Sequence, residues 1–324
     1  MPLWFRNPGQ EEKQLKIVHS LDHFPPQFQG GVLAIGKFDG LHRGHVRILK
    51  RLWEYARDHS VPPLVFTFDP LPGQILRPET APPLLVTLEQ KMELLADYGV
   101  ECVIVYPTTR EFLLCSARQF FESVIRRDLQ AKVIIEGQNF LFGNNREGTP
   151  EMLGRFCRES GIVFETISPC QWNGLAVSSS AVRSFLSEGN ISAANEMLTR
   201  PYQVTGTVVH GEHRGRTLGF PTANLEKIGT LLPRTGIYAC LATLDSEHYP
   251  AAVHIGTNPT FGVTPFKMEV HLLDFSGLIY GKTLKVDFLE RLRDTTAYPS
   301  REALIDRMNH DVEQTRMIAN RPSA

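Results

Sequence analysis

Apolar residues in the first half of the chain gather in five short runs rich in β-branched side chains, at 32–35, 64–68, 102–106, 132–136 and 162–167. Runs of this length and continuity predict strands buried on both faces. Between them the apolar period lengthens to that of a helix. Val46, Leu49, Leu52, Trp53 and Ala56 share one helical face. Thr87 with Gln90, and Ser116 with Gln119, have the spacing of capping boxes, and Thr149-Pro150 reads as an N-cap followed by N1. Gly99, Gly161 and Gly189 stand where helices should end. Strand alternating with helix predicts an α/β domain with a parallel sheet, whose ligands bind beyond the carboxyl ends of the strands.

Near residue 200 the pattern changes. Helical spacing through Ile191, Ala194, Met197 and Leu198 stops at Arg200-Pro201. Strand-like runs at 202–209, 236–244, 250–255, 267–275 and 283–289 follow, joined by short connections containing Gly and Pro. Leu304, Ile305, Met308 and Val312 form one face of a closing helix. Several strands with few helices predict a small antiparallel barrel. The predicted division is a nucleotide-handling domain at 1–186, a helical linker at 187–200 and a barrel domain at 201–324.

Composition narrows the function. A chain of 324 residues is long enough for about two domains. A net charge of −1 gives no electrostatic reason to expect nucleic acid or an anionic membrane as partner. Five scattered cysteines, with no C-x-x-C, predict reduced thiols in a cytoplasm. The N-terminal residues lack the apolar stretch of a signal peptide, and no apolar run approaches the ~20 residues of a membrane span.

The chemistry concentrates after the predicted strands. Gly31 to His45 reads as a strand, a turn punctuated by Gly36 and Gly40, and two histidines, His42 and His45, around Gly44 at a helix start. A strand entering a helix through a tight turn makes an anion site, because free N–H groups and the helix dipole point at the ligand. The other unusual residues, Thr67 to Pro70, Gly137 to Gly143 and Ser178 to Arg183, follow further strands and are expected at the same sheet edge. Taken alone, His42 and His45 read rather as a helix-start pair satisfying local carbonyls, and it is F-D-G before them that reverses this. No carboxylate or Cys lies at metal-ligand spacing from them. In the second half, Gly206, Gly211, Gly215 and Gly219 allow close backbone approach to a ligand. Thr222 and Asn224 offer neutral oxygens of the kind Mg²⁺ accepts beside phosphates, although both also suit a turn after Pro221. Alternation at 267–272 puts Met268, Val270 and Leu272 on one face and Lys267, Glu269 and His271 on the other.

The pattern G-x-F-D-G-x-H-x-G-H at 36–45 resembles the flavin branch of the HxGH nucleotidyltransferases. G-R-T-L-G-F-P-T-A-N at 215–224, with M-E-V-H-L-L-D-F at 268–275 and Tyr280-Gly281, is similar to the riboflavin kinase barrel. Their order in one chain resembles the bacterial bifunctional riboflavin kinase/FMN adenylyltransferases, over about residues 15 to 318. That resemblance implies phosphorylation of riboflavin to FMN and adenylylation of FMN to FAD. ATP and Mg²⁺ would serve both, with flavin as substrate and product, not as a permanent prosthetic group.

It further implies roles. Gly36, Phe38, Asp39, Gly40, His42, Gly44 and His45 would hold ATP in the adenylyltransferase, with Ser178, Ser179 and Arg183 on the leaving pyrophosphate. Phe68, Asp69, Pro70, Asn139 and Phe140 would hold FMN, although Asp69 reads as well as a turn cap. Gly206, Gly211, Gly215, Arg216, Gly219, Pro221 and Thr222 would hold ATP in the kinase. Thr222 and Asn224 would hold the metal, and Glu269, otherwise an ordinary exposed strand glutamate, would be the base. His254, His271 and His310 read as structural. The chain departs from the family pattern at Leu71, Leu141 and 295–298. These departures keep open a flavin-binding paralogue with a weak or lost kinase. A different HxGH adenylyltransferase joined to an unrelated barrel would lack both F-D-G and P-T-A-N.

Overall fold

A computed structural model describes residues 14–211, 218–257 and 266–321. Contacts divide the chain into two compact units, one running to Pro83 and resuming over Thr87–Val177, the other formed by Leu84–Val86 and Ser178 onward.

The first unit holds a six-stranded parallel sheet in the order β1-β4-β3-β2-β5-β6. Its strands are β1 (Lys16–Val18), β2 (Val32–Ile35), β3 (Pro63–Asp69), β4 (Cys102–Pro107), β5 (Val133–Gly137) and β6 (Val163–Ile167). The helices are α1 (Arg43–His59), α2 (Pro72–Leu76), α3 (Leu88–Asp97), α4 (Arg110–Leu113), α5 (Ala117–Phe120), which continues as a π-helical turn over Phe121–Asp128, and α6 (Pro150–Ser160). All four residues of β2 are buried, as a strand covered on both faces requires. Thr87 and Ser116 close their capping boxes, Thr149 caps α6 ahead of Pro150, and Gly161 ends it in the left-handed region. A short hairpin of β7 (Gln171–Trp172) and β8 (Leu175–Ala176) follows. The strand order reverses between β2 and β5, which opens a crevice at their carboxyl ends.

The second unit begins with α7 (Ser179–Glu188) and α8 (Ile191–Leu198). The helix pair precedes a closed six-stranded barrel in the order β10-β13-β12-β11-β14-β9. Its strands are β9 (Tyr202–Val209), β10 (Ala223–Glu226), β11 (Gly236–Leu244), β12 (Glu247–Gly256), β13 (Lys267–Leu272) and β14 (Thr283–Arg293). Tyr202, Val204, Tyr238, Val253, Val270 and Phe288 fill its interior. The buried tyrosine hydroxyls are satisfied, Tyr202 donating to the Leu231 carbonyl at 2.6 Å and Tyr238 to that of Arg234.

A terminal helix, α9 (Arg301–Ala319), packs over the outer face of β11, β12 and β14. It is tied down by the buried Asp311. Both carboxylate oxygens of Asp311 accept from Arg293 of β14, the shortest contact being 2.6 Å, and Arg307 lies 3.2 Å away. Asp311→Ala leaves two guanidinium groups without this partner. It should cost about 3 kcal/mol of stability, measured by denaturant unfolding.

Candidate active sites

In the first unit the loop between β2 and α1 is shaped by its neighbours. The Gly36 amide donates to the Phe66 carbonyl of β3 at 2.9 Å, and Thr67 donates its hydroxyl to the Lys37 carbonyl at 3.4 Å. On the β5 side, the Ile35 amide donates to the buried carboxyl of Glu136. Glu136 stands where β2 and β5 part and replaces ladder bonds that the diverging backbones no longer make. Burial raises its pKa well above the ordinary carboxylate range, against the pull of the Ile35 and Gly137 amides. Within the loop, Phe38 and Leu41 hold positive φ of 46° and 42° although neither is glycine. Both are fully buried, and that packing sustains the strain.

The loop delivers two histidines to the start of α1. His42 is its N-cap and is buried. The His42 and His45 rings stack at 3.8 Å with a 15° interplanar angle, and Phe38 lies 5.1 Å from His45. Gly44 is required between them, because a Cβ there would stand 3.1 Å from the His42 ring. Asp39 is buried beneath this loop. A buried lysine, Lys91 of α3, feels the charges of Asp39 and Asp69, and its own burial lowers it below an ordinary ammonium. Neither Glu136 nor Lys91 carries a motif that marks it in the sequence.

Phe68, Asp69 and Pro70 end β3, and Asn139 and Phe140 follow β5. Asp69, Pro70 and Asn139 are exposed, whereas Phe68 and Phe140 are half-buried. Sequence reasoning missed the aromatic neighbours that join them. Phe112 lies 4.5 Å from Tyr106 and 6.2 Å from Phe68, and Phe140 stacks on Phe142 at 5.4 Å. Phe68, Tyr106 and Phe112 form an aromatic wall beside the carboxyl ends of β3 and β4, which Phe120 links to Phe142 and Phe140. Ser178, Ser179 and Arg183 stand at the start of α7, where Ser178 accepts from the Ala181 amide at 3.2 Å. Contacts group this helix with the second unit.

The barrel assembles a second constellation on its outer wall. Strand register sets Asn224 of β10 opposite Glu269 of β13, Glu269 opposite His254 of β12, His254 opposite Ile237 of β11, and Ile237 opposite Arg293 of β14. Directly opposed residues have Cβ atoms about 5 Å apart. P-T-A-N and M-E-V-H, 45 positions apart from Asn224 to Glu269, thus become neighbours. Glu269 lines a cleft with Thr222, His254, His271, Thr295 and Tyr298. Leu304, Met308 and Val312 of α9 form its apolar wall. His271 donates from Nδ1 to the Pro221 carbonyl at 2.8 Å, tying P-T-A-N to β13, and burial lowers its pKa below that of an ordinary imidazole. The cleft also takes in Thr295, Thr296 and Tyr298, three of the positions that depart from the family pattern.

Asn224 is buried, and its Oδ1 has no hydrogen-bond partner among the described residues. A buried carbonyl oxygen left this way fits a hard cation, with Thr222 at the cleft wall beside it. Gly211 leaves room for that side chain, since a Cβ there would stand 2.0 Å from Asn224 Nδ2. Gly211→Ala should therefore displace Asn224 and raise the KM for ATP in any kinase reaction at this site, leaving chemistry in the first unit unchanged. Steady-state assays of both reactions check this. Gly206 differs from the expectation. Its face of β9 points into the barrel, and a Cβ would meet the Glu226 carbonyl at 2.9 Å. The close approach it permits is to β10, not to a ligand. Gly219 takes a φ of 90° ahead of Phe220, while Gly215 and Arg216 lie outside the described residues.

Comparison with known proteins bears on both constellations. Residues 25–181 match the family model for FAD synthetase, and 198–319 match that for riboflavin kinase. The chain is 35% identical to the bifunctional riboflavin kinase/FMN adenylyltransferase of Pseudomonas fluorescens, over 96% of this chain and 99% of that one. The chain belongs to the bifunctional riboflavin kinase/FMN adenylyltransferase family. The family member from Escherichia coli K12 is 34% identical over 90% of this chain and 93% of its own, and that from Haemophilus influenzae 32% over 94% and 100%. A crystal structure from Streptococcus pneumoniae, described as a macrolide-efflux protein, shares the fold at a TM-score of 0.83 and 30% identity, covering 93% of this chain and 98% of that one. No helix among the described residues is long and apolar enough to cross a membrane.

Proposed function

We propose that the family's two reactions divide between the two constellations, with adenylyl transfer at the histidine loop and riboflavin phosphorylation on the outer wall of the barrel. The enzyme is a riboflavin kinase and FMN adenylyltransferase by family, and geometry supports this assignment of residues. The observation that carries it is the cross-strand row joining Asn224 to Glu269. It places a metal-type oxygen and a carboxylate side by side, as phosphoryl transfer to a hydroxyl requires.

In the kinase, Glu269 takes the proton of the ribityl 5′-hydroxyl. That oxygen bonds to the γ-phosphorus of ATP, the bond to the β,γ-bridging oxygen breaks, and ADP leaves. Asn224 and Thr222 would hold Mg²⁺, which when bound offsets charge on the phosphates. The apolar side of α9 together with Tyr298 supplies the surface for the flavin ring. In the adenylyltransferase, a phosphate oxygen of FMN attacks the α-phosphorus of ATP and pyrophosphate leaves, so no covalent enzyme intermediate is needed. His42 and His45 donate to the phosphates at a helix N-terminus. Phe68, Phe140, Tyr106 and Phe112 offer an aromatic wall for the isoalloxazine ring. The match to the FAD synthetase model runs to residue 181 and takes in Ser178 and Ser179, whose hydroxyls suit the leaving pyrophosphate. The domain division at 1–186, 187–200 and 201–324 belongs to the same reading. So does a cytoplasmic setting, which suits the five free cysteines.

Turnover of riboflavin with Mg-ATP tests the assignment against a flavin-binding paralogue. FMN followed by FAD is expected, and riboflavin recovered unchanged would favour the paralogue. The metal adds a second check. Among the described residues no cluster of three His, Cys, Asp or Glu could form a cage for an ion. Calorimetry should therefore show appreciable Mg²⁺ binding only in the presence of nucleotide, and tight binding to the nucleotide-free chain would contradict the Thr222–Asn224 assignment.

A further inference from the structure

Glu269 has a partner that neither motif contains. His254 lies directly opposite it on β12, and its Nδ1 is 3.2 Å from Glu269 Oε2. Both side chains are mostly buried, at 15% and 24% exposure. Two other polar side chains of the cleft are engaged elsewhere. His271 is bound to the Pro221 carbonyl, and Arg293 to Asp311. Among the described residues His254 is thus the side chain hydrogen-bonded to Glu269.

An ionised carboxylate only accepts hydrogen bonds, so the contact requires a proton on His254 Nδ1. Oε2 is then fixed, and the carboxylate plane is fixed with it. Oε1 remains as the oxygen that meets a hydroxyl. A glutamate has three rotatable bonds, and on a strand face nothing in its own backbone selects one orientation. The imidazole supplies that selection from the neighbouring strand, where it is itself held stiffly by burial between β11 and β13.

We propose that His254 is a positioning residue for the kinase reaction, orienting Glu269 so that Oε1 receives the proton of the ribityl 5′-hydroxyl. This rests on Glu269 being the base. The role is one of geometry. The proton from riboflavin ends on Glu269, and His254 keeps its own throughout. As a positioning residue His254 acts through Glu269, so its loss should act on kcat and not on substrate binding.

The test is a double-mutant cycle on the full-length chain, measuring riboflavin phosphorylation. His254→Ala should lower kcat roughly 10- to 100-fold, the scale of a misplaced reacting group, with the KM values for riboflavin and ATP little changed. His254→Asn, whose amide N–H reaches about where the imidazole Nδ1–H stood, should restore most of the rate. In a Glu269→Gln background His254→Ala should change the residual rate by less than about twofold, because residues acting through one another are not additive. If Ala at 254 disturbs the barrel, seen as lost quenching of riboflavin fluorescence, His254→Leu keeps the bulk and gives the same comparison. Parent-like kcat in the Ala and Leu variants, an equal loss in both backgrounds, or a loss confined to KM would each overturn the proposal. A Glu269→Gln enzyme working at the parent rate would instead remove Glu269 as the base, a failure distinguishable from that of His254 alone.

Discussion

Glu269→Gln should slow riboflavin phosphorylation by ~10²–10⁴, the usual contribution of a positioned general base. The amide keeps the size of the carboxylate and can still meet His254 across the strand pair, but it cannot take a proton. The effect should fall on kcat. On the proposed assignment ATP is held by other groups, Asn224 and Thr222 among them, so the KM for ATP should hold. FMN adenylylation should hold as well, because Glu269 belongs to the barrel and the histidine loop to the parallel sheet. Quenched-flow measurement of FMN formed from riboflavin and Mg-ATP checks the result. A parent-like rate constant would remove Glu269 from the chemistry.

The second large effect is expected from His45. Its ring stacks on His42 at the start of α1, where on the proposed assignment the helix dipole and the imidazole donors act together on phosphate charge. His45→Ala removes one donor and the support it gives to the His42 ring. Loss of one preorganised donor of this kind costs ~10²–10³ in rate. FAD formation from FMN should fall by that amount while FMN formation from riboflavin continues. Chromatography of FMN supplied with Mg-ATP measures the first, and riboflavin consumption the second.

Much of this arrangement was legible in the residues. The apolar runs of the first half are strands of a parallel sheet, displaced by one residue at most ends, because continuous apolar segments between capped helices leave few alternatives, but the fifth run forms β6 at the sheet edge, where none of its residues is buried. Thr87, Ser116 and Thr149 cap the helices their spacing predicted. The failures have physical causes. β1 is three residues long and partly polar, too short for a period to show. β10 is not among the predicted strands, since Pro221, Thr222 and Asn224 equally suit a turn, yet Ala223 and Leu225 face the barrel interior and make it a strand. β14 runs to Arg293, four residues past the predicted end at 289, where Arg293 binds Asp311 of α9 and lines the cleft. β13 ends at Leu272, short of 275, and Asp274 then takes a φ of 59°.

The sites follow the same division. Local chemistry, such as the glycine between two histidines, is written in consecutive residues. What joins distant segments is register. Asn224, Glu269 and His254 meet because three strands align at one level of a barrel, and no spacing along the chain records that alignment. For this reason His254 reads as structural in the sequence. Phe112 and Tyr106 escape notice for a similar reason, since each belongs to an element without a motif and meets Phe68 only through packing.

The central claim is that one chain carries two chemically separate reactions on two sets of residues. Product analysis of the reciprocal variants, each given riboflavin and Mg-ATP and, in parallel, FMN and Mg-ATP, tests it most directly. His45→Ala should accumulate FMN from riboflavin and form little FAD from either flavin. Glu269→Gln should leave riboflavin largely unconverted yet turn FMN into FAD at the parent rate. A folded variant of either kind that has lost both reactions would contradict the account.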